Sequence, residues 1–249
     1  MLTLQEFFHK HPRTALGFSG GTDSAYLLYA GLHYGAEIRP YFIRTPFQPQ
    51  FELDDALRLT DQLGAPLTIL EYNILKAPNV AANPADRCYH CKKALFEHLK
   101  KQAASDHYPV LLDGTNASDE ADDRPGMRAL DELNILSPLR LCGLTKPEIR
   151  RLSQEAGLFT WDKPAYACLA TRVATDTPLD AEILRRVEEA EGCLNAIGFT
   201  DFRIRIFHGA ARIQVTDAQF AHAAASREQI RSRLKPYFDT ILLDTEVRP

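Results

Sequence analysis

The sequence predicts an α/β protein in which a parallel sheet is flanked by helices and followed by a smaller C-terminal α+β domain. Strand-like apolar runs alternate with helix-like segments through the first two thirds of the 249-residue chain, a pattern typical of parallel sheets. After about residue 170 the order changes to a long helix, two strands of period two, another helix and a short strand. We therefore expect two domains, at residues 1–168 and 169–249, and the length suffices for both.

The elements of the first domain follow from apolar periodicity and from residues that begin or end helices. Strands are predicted at residues 14–18, 38–45, 67–73 and 109–114, and helices at 23–32, 52–64, 88–101 and 145–157. Thr145 and Glu148 are spaced as a capping box, and Gly64 and Gly157 are predicted to end their helices. Ligands of such sheets bind at the carboxyl ends of the strands, so we expect the chemistry in the loops that follow residues 18, 43 and 112.

The elements of the second domain are predicted in the same way. They are a helix at 179–199, strands at 202–207 and 211–215 that pair around His208 and Gly209, a helix at 217–237 and a strand at 239–244. Strands with one polar face suit an antiparallel sheet covered by helices on its other side. We expect this domain to bind substrate and to mediate assembly into a homo-oligomer.

The composition favours a small-molecule substrate. The net charge is −4, whereas nucleic-acid-binding domains usually carry a basic excess, so we expect no nucleic-acid partner. We find no signal peptide and no apolar run long enough to span a membrane, and we expect a cytoplasmic protein with no membrane partner. An odd count of five cysteines argues against a disulfide framework and leaves some of them for metal binding or reactivity.

A glycine-containing loop between the first predicted strand and helix has the features of a phosphate site. Its residues are Ser19, Gly20, Gly21, Thr22, Asp23 and Ser24. Glycines let backbone N–H groups approach an anion, and the following helix N-terminus adds positive partial charge. Asp23 would repel phosphate unless it caps the helix or holds a divalent cation, and the loop contains no lysine. The alternative is a turn that only caps the helix.

The loop resembles the signature of the PP-loop ATP pyrophosphatases, which implies an adenine nucleotide alpha hydrolase-like domain. Enzymes of that superfamily cleave ATP between the α- and β-phosphates, transfer AMP to a substrate oxygen and release pyrophosphate. The resemblance implies that the loop grips pyrophosphate with Mg²⁺ present, that Asp23 is catalytic and that Arg44 lies at the adenine. Asp113 and Asp119 follow the fourth strand, where they would hold Mg²⁺ or orient ATP, or Asp119 would only cap a helix.

Three of the cysteines form a candidate metal site. Cys88 and Cys91 are two residues apart, so both thiolates can reach one metal centre, and Cys168 lies far downstream. Three alternatives remain open: thiols without a role, a zinc site with His90 as fourth ligand, and a [4Fe-4S] cluster with three protein ligands. The remaining two cysteines have apolar neighbours and are predicted to be core residues, Cys142 and Cys193.

The loop together with "DRCYHCKKALF", "LLDGTNASDEADDRPG" and "KPAYACLATR" resembles the LarE family over nearly the whole chain. LarE proteins are sulfur transferases that mature the nickel-pincer nucleotide of lactate racemase. The resemblance implies that a carboxylate of a pyridinium mononucleotide is adenylated and then converted to a thiocarboxylate. In one type of LarE, a single cysteine gives up its own sulfur. In the other, three cysteines hold a [4Fe-4S] cluster, and Cys88, Cys91 and Cys168 place this chain with it. Cys168 matches the sacrificial cysteine, and the sulfur donor is unknown.

Arginines of the second domain suit a substrate that carries carboxylates and phosphate, because the guanidinium fork matches both groups. Arg203 and Arg205 are two apart on a strand and therefore point to one face. The other predicted substrate-binding residues are Arg172, Arg212 and Glu191, of which Glu191 resembles an acidic position of the family. The alternative for each arginine is a solvated or salt-bridged surface.

Three other functions compete with sulfur transfer to a small molecule. A tRNA-thiolating PP-loop enzyme can also use three cysteines, but it often adds an RNA-binding domain and a basic surface. An amidotransferase-type enzyme such as an NAD or GMP synthetase would leave the cysteines unexplained. A non-catalytic iron–sulfur or zinc scaffold would leave the intact loop unexplained.

Overall fold

The computed structural model describes residues 2–119 and 125–248 of a chain that divides into two compact units. Unit 1 contains Met1–Ile74 and Asp86–Ala165, and unit 2 contains Leu75–Ala85 and Tyr166–Pro249. Each unit therefore combines segments that are distant in sequence. The division predicted after residue 168 stays a prediction.

The four strands and four helices that the sequence predicts are present in unit 1. Before residue 75 the elements of unit 1 are α1 (Leu4–Lys10), β1 (Arg13–Gly17), α2 (Thr22–His33), β2 (Glu37–Arg44), α3 (Gln50–Gln62) and β3 (Thr68–Glu71). The next helix, α4 (Pro78–Ala81), belongs to unit 2. Unit 1 then continues with α5 (Arg87–Ser105), β4 (Val110–Leu112), α6 (Pro125–Leu133), α7 (Pro138–Leu141) and α8 (Lys146–Glu155). The structure thus adds the helices α1, α6 and α7, which were not predicted. The capping box of Thr145 and Glu148 begins α8, and Gly157 follows the helix with φ +70°. None of the helices in the described parts of the chain is long and apolar enough to cross a membrane.

Within the described residues, the strands of unit 1 form a four-stranded parallel sheet in the order β3-β2-β1-β4. This confirms the predicted fold class. Leu16 of β1 is in register with Leu112 of β4, and Gly17 is in register with Tyr41 of β2. The loops that follow β1 and β4 therefore leave the sheet side by side at its carboxyl edge.

Helices cover both faces of this sheet because the side chains of each strand alternate. Leu16, Phe42 and Leu112 point into one apolar core, which contains buried side chains of α1, α2, α3 and α8. Tyr41 and Leu111 point into a second core with α5 and α6. The sequence predicts an apolar face of α3 made of Leu53, Ala56, Leu57, Thr60 and Leu63, and of these Leu57 is exposed. Leu59, one position off that face, is buried instead.

The main elements of unit 2 are α9 (Ala181–Asn195), β5 (Arg203–Phe207), β6 (Ala210–Gln214), α10 (Asp217–Ala225), α11 (Arg227–Leu234) and β7 (Ile241–Leu243). β5 and β6 form the predicted hairpin, in which His208 and Gly209 both have positive φ. β7 pairs with β6 in parallel, so the predicted antiparallel sheet is in fact mixed. The helix predicted at 217–237 is two helices, which meet at Ser226.

The segment Leu75–Ala85 is an integral part of unit 2. The carbonyl of Asn83 accepts a hydrogen bond from Asp176 N (2.9 Å), and the carbonyl of Ala81 accepts one from Leu179 N (2.7 Å). The side chain of Asn83 donates to the carbonyl of Ala174, and both Asn83 and Val80 are buried. This early segment therefore supplies core and hydrogen-bond partners to a unit whose remaining residues come much later in the chain.

Candidate functional site

The loop between β1 and α2 is held by close backbone approaches at two glycines. Gly20 has φ +68°, and a Cβ atom there would lie 3.1 Å from backbone atoms of Ala56 and Glu52 in α3. A Cβ at Gly114, in the loop after β4, would lie 3.1 Å from Ser24 N. Larger residues would push these segments apart. Gly21 is the N-cap of α2 and provides no side-chain cap, so the first N–H groups of the helix are available to an anion.

Hydroxyl groups of the predicted loop form hydrogen bonds both within the loop and to a distant segment of unit 1. Ser19 Oγ lies 3.2 Å from Ser24 Oγ and accepts from Gly21 N at 3.4 Å, while Thr22 Oγ1 donates to the carbonyl of Thr160 at 2.7 Å. Thr22 and Ser24 are buried. Thr22 therefore fastens the loop, whereas Ser19 and Ser24 line the space in front of it.

A pocket of about 560 Å³ opens at the carboxyl edge of the unit 1 sheet, large enough for a nucleotide. The loop contributes Ser19, Gly21, Asp23 and Ser24 to its lining, and the loop after β4 contributes Asp113, Gly114, Thr115 and Asp119. Ile43, Phe96 and Met127 add apolar surface. Cys88 also lines this pocket, so a thiol and the candidate phosphate loop face the same space.

Lysines from outside the loop lie around it. Lys146 Nζ lies 2.9 and 2.7 Å from the two carboxylate oxygens of Asp23. Lys163 Nζ lies 2.5 Å from Asp55 Oδ2 and 3.5 Å from the carbonyl of Gly20. Sequence reasoning missed both lysines, because the loop carries no lysine of its own and nothing local connects Lys146 with a residue 123 positions earlier.

Asp113 is a buried carboxylate whose oxygens are already hydrogen-bonded. It accepts from Thr115 N and Oγ1 and from Ser137 Oγ, and Lys92 Nζ lies 3.4 Å from its Oδ2. These donors stabilise its charge and fix the loop after β4. Asp119 Oδ2 accepts from Asn116 N, so within the described residues Asp119 stabilises a turn at the pocket wall. Mg²⁺ binding by either residue stays a prediction.

Arg44 does not line this pocket within the described residues. Its guanidinium donates to Gln50 Oε1 at 3.1 Å and lies 3.5 Å from Glu71 Oε1. The residues of β2 and of the segment after it that line the pocket include Tyr41, Ile43 and Gln48. The adenine-binding role of Arg44 stays a prediction.

The paired cysteines lie in the first turns of α5. Cys88 is exposed, with the guanidinium of Arg87 3.8 Å from its sulfur, and Cys91 is half-buried one turn later. Cys168 belongs to unit 2. Among the described residues, no three His, Cys, Asp or Glu side chains lie close enough to hold a metal ion. The cluster and the zinc site therefore stay predictions; His90 Nε2 lies 3.2 Å from Asp86 Oδ2.

The two cysteines predicted as core residues differ in burial. Cys142 is buried, and burial raises the pKa of its thiol. Cys193 is only half-buried, and its sulfur lies 3.8 Å from the hydroxyl of Tyr237. The core assignment is thus confirmed for Cys142 and only partly for Cys193.

Cys168 begins a short 3-10 turn, Leu169–Arg172, which a buried ion pair supports. The guanidinium of Arg172 is fully buried, and its Nε and Nη2 donate to the two oxygens of Glu191 at 2.9 and 3.1 Å. Its Nη1 donates to the carbonyl of Ala167 at 2.8 Å. Tyr166 donates to Glu191 at 2.7 Å, and its ring contacts the guanidinium of Arg172. Two predicted substrate-binding residues, Arg172 and Glu191, therefore bind each other beside Cys168.

The other predicted arginines lie on one face of the β5–β6 hairpin. Arg203 is buried against the ring of Tyr166, Arg205 donates to Gln214 and to the carbonyl of Thr171, and Arg212 pairs with Asp244. Arg205 and Arg212 are directly opposite each other across the hairpin. The structure thus brings together the arginines of this hairpin face.

The positive charges of these arginines repel one another. Burial and the neighbouring charges of Arg172 and Arg248 lower the pKa of Arg203 to about 10. Burial and the charges of Arg172, Arg212 and Arg248 also lower the pKa of Arg205. Arg248, which the sequence did not single out, reaches this face through an ion pair with Asp201 at 3.0 Å. An anion bound here would relieve the repulsion.

The chain is similar to three curated proteins and matches no protein-family profile. It is 35% identical to the uncharacterized protein slr1717 of Synechocystis sp. over 87% of this chain and 81% of that protein. It is 31% identical to the uncharacterized protein MJ0830 of Methanocaldococcus jannaschii over 98% of this chain and 93% of that protein. It is 29% identical to pyridinium-3,5-bisthiocarboxylic acid mononucleotide synthase of Lactiplantibacillus plantarum over 90% of this chain and 82% of that protein, which makes it a distant homologue.

Proposed function

This chain belongs to the same protein family as slr1717 and MJ0830, and we propose that it is an ATP-dependent sulfur transferase. It would convert substrate carboxylates to thiocarboxylates and release AMP and pyrophosphate. The observation that carries the proposal is the unit 1 pocket, which the candidate phosphate loop and the Cys88 thiol both line. The name of the distant homologue, a synthase of a pyridinium bisthiocarboxylic acid mononucleotide, supports a substrate of the same class, in nickel-pincer cofactor biosynthesis.

The chemistry requires activation because a carboxylate is a poor electrophile. A carboxylate oxygen attacks the α-phosphorus of ATP, the bond to the β-phosphate oxygen breaks, and pyrophosphate leaves. The open N–H groups at the start of α2 suit the pyrophosphate, and Mg²⁺ on Asp23 would offset its charge. A sulfur nucleophile then attacks the acyl carbon and expels AMP, which leaves a thiocarboxylate.

We propose that the arginines of the β5–β6 hairpin bind the carboxylates and phosphate of the substrate. Arg205 and Arg212 are only partly buried, so a ligand can reach their guanidiniums. Arg203 would contribute charge from below the surface. Arg172 and Glu191 would act in the same site by holding the turn of Cys168, since their charged groups bind each other.

The source of sulfur has two candidates. We propose a [4Fe-4S] cluster on Cys88, Cys91 and Cys168, and the position of Cys88 in the nucleotide pocket supports a sulfur carrier there. In the alternative, Cys168 gives up its own sulfur. If the cluster is present, the anaerobically purified chain should contain about four irons. If Cys168 gives up its own sulfur, the chain should be iron-free and should lose the mass of hydrogen sulfide after one turnover.

The decisive experiment incubates the anaerobic chain with ATP, Mg²⁺ and a pyridinium dicarboxylate mononucleotide. We expect AMP, pyrophosphate and a thiocarboxylate product by mass spectrometry, and we expect Asp23→Ala to abolish pyrophosphate release while iron content is unchanged. Formation of ADP and phosphate would contradict the PP-loop assignment. Turnover with tRNA in place of the mononucleotide would favour the tRNA-thiolating alternative.

We also propose that the chain assembles as a homo-oligomer. The exposed side chains of Phe207 and Leu242 lie on strands of unit 2 and support an apolar contact between copies. Light scattering of the purified chain measures its mass, and a strictly monomeric chain would contradict this proposal.

A further inference from the structure

The last strand of unit 2, β7, has an unpaired edge. The strand order β5-β6-β7 leaves β7 paired on one side, with β6, within the part of the chain that the structure describes. The carbonyl of Thr240 and the N–H of Asp244 bond to β6. Because bonding groups alternate along a strand of a parallel pair, the N–H and C=O groups of Ile241 and Leu243 point away from β6. No described residue forms a hydrogen bond to these groups, which we call the β7 edge.

The side chains of the same two residues form one wall of a cavity. This cavity, of about 420 Å³, lies between β7 and the helices α10 and α11. Ile241 and Leu243 line it from the strand, and the buried side chains of Ile213, Ala223 and Ile230 line it from β6 and the two helices. An added strand could therefore bond to the β7 edge through its backbone and place apolar side chains in the cavity.

The rim of the cavity is rich in positive charge. Arg227, Arg231 and Lys235 follow one another at intervals of four along α11 and its C-cap, so they share one side of the helix, and all three line the cavity. Arg227 and Lys235 face exposed carboxylates at 3.7 Å, and such pairs contribute little. Arg231 forms no ion pair with the side chains that the structure describes. A carboxylate of an added strand would supply its partner.

The charge of this rim argues against a second copy of the chain as the added strand. Two β7 strands that pair antiparallel are related by a two-fold axis perpendicular to the sheet, so both α11 helices would lie on the same face of the joined sheet. Their positive charges would then repel one another. The contact between copies proposed above uses Phe207 and Leu242, which lie on the opposite face of the sheet from Ile241 and Leu243 and leave the β7 edge open.

We propose that the β7 edge is a docking site for an extended segment of another polypeptide, which carries apolar and acidic side chains on the same face. The backbone of the segment pairs with Ile241 and Leu243, its apolar side chains fill the cavity, and its carboxylates bind Arg231 and the neighbouring cations of α11. The inference is independent of the proposed reaction, because none of these residues lines the unit 1 pocket as the structure describes it.

The test uses a synthetic peptide, Ac-SETLTITES-NH2, and the full chain. Its second, fourth, sixth and eighth residues are glutamate, leucine, isoleucine and glutamate, which an extended chain presents on one face. Isothermal titration calorimetry measures the Kd. We expect Arg231→Glu to weaken binding at least about fivefold, because a repulsive charge replaces an attractive one. The same variant should bind the basic peptide Ac-SKTLTITKS-NH2 more tightly than wild type does.

The matched control is Arg233→Glu. Arg233 is an exposed arginine of the same helix, but it does not line the cavity. This variant changes the net charge by the same amount and should bind the acidic peptide within about twofold of wild type. Equal losses in Arg231→Glu and Arg233→Glu would mean that the peptide responds only to overall charge, and this result would overturn the inference.

Hydrogen exchange measured by NMR tests the strand pairing itself. In the free chain the amides of Ile241 and Leu243 should exchange quickly and those of Leu242 and Asp244 slowly, because only the second pair bonds to β6. The bound acidic peptide should slow exchange at Ile241 and Leu243 at least about tenfold. Binding without this protection, or a wild-type Kd weaker than about 1 mM, contradicts the inference. If both amides are already protected in a free chain that light scattering shows to be oligomeric, a second copy takes the edge and the inference is wrong.

Discussion

At the scale of the residue, Gly20 combines two requirements that only glycine meets. Its φ of +68° is unfavourable for a residue with a Cβ atom, and that atom would press on the backbone of α3 at 3.1 Å. We expect Gly20→Ala to lower the free energy of unfolding by roughly 1–3 kcal/mol and to weaken ATP binding, because the loop must move away from α3. Chemical denaturation and equilibrium dialysis measure the two effects.

The matched control for this prediction is Gly64→Ala. Gly64 has a similar φ of +64°, but nothing lies within 4 Å of a Cβ built there. This variant should cost only the conformational part and leave ATP binding intact. If both variants were equally stable and bound ATP equally well, the close approach to α3 would have no functional role.

The thiols should differ in reactivity. Burial raises the pKa of Cys142, so at pH 8 its thiol is both covered and protonated, and only a further rise in pH would form the thiolate. Cys88 is exposed in the pocket. In the iron-free chain, iodoacetamide followed by peptide mass spectrometry should label Cys88 quickly and Cys142 only after denaturation. ATP should slow the labelling of Cys88, and an unchanged rate would separate this thiol from the nucleotide site.

Sequence reasoning identified the residues that are adjacent in the chain and missed those that tertiary contacts add. The loop residues 19–24 could be found because strand, glycines and helix follow one another. Lys146 could not be found, since its relation to Asp23 depends on how α8 packs against α2. The pairing of Arg172 with Glu191 was missed for the same reason, because side-chain type alone cannot distinguish an arginine that binds a ligand from one that binds a buried carboxylate.

At the scale of the element, α9 is fixed by its N-cap and carries Glu191 to the turn of Cys168. Asp180 Oδ1 accepts from Glu182 N at 2.8 Å and from Ile183 N at 3.2 Å. We expect Asp180→Ala to lower the free energy of unfolding by about 1 kcal/mol, because these N–H groups lose their acceptor. Asp180→Asn keeps an acceptor oxygen and should remain close to wild type in urea denaturation. Equal losses for both substitutions would mean that the charge, and not the cap, stabilises the helix.

Elements with strong local sequence signals were predicted well, whereas the direction of β7 and the break between α10 and α11 were not. The β5–β6 hairpin follows from alternation and from a two-residue turn at His208 and Gly209. The parallel direction of β7 does not, because it is set by the path of α10 and α11 between the strands. The break at Ser226 also escaped periodicity, since apolar spacing continues across it.

At the scale of the whole molecule, the arginines of unit 2 lead us to expect that stability depends on anions. Their ion pairs join Arg172, Arg203, Arg212 and Arg248 to Glu191, Asp201 and Asp244, and Arg205 adds a further charge. We expect inorganic phosphate to raise Tm more than chloride at equal ionic strength, by roughly 3 °C at tenfold its Kd. Arg205→Gln should reduce this rise. An equal effect of the two salts would point to screening alone.

The discontinuity of unit 2 has a consequence for the time at which the protein can fold during synthesis. Leu75–Ala85 leaves the ribosome well before Tyr166 is made, although Ala81 and Asn83 bond to Leu179 and Asp176. At about 5–20 residues per second the segment waits several seconds for its partners. During that time most of unit 1 has been synthesised, but Leu75–Ala85 cannot yet form its hydrogen bonds or be buried in unit 2. The two units therefore cannot fold in a strict order from the N-terminus to the C-terminus.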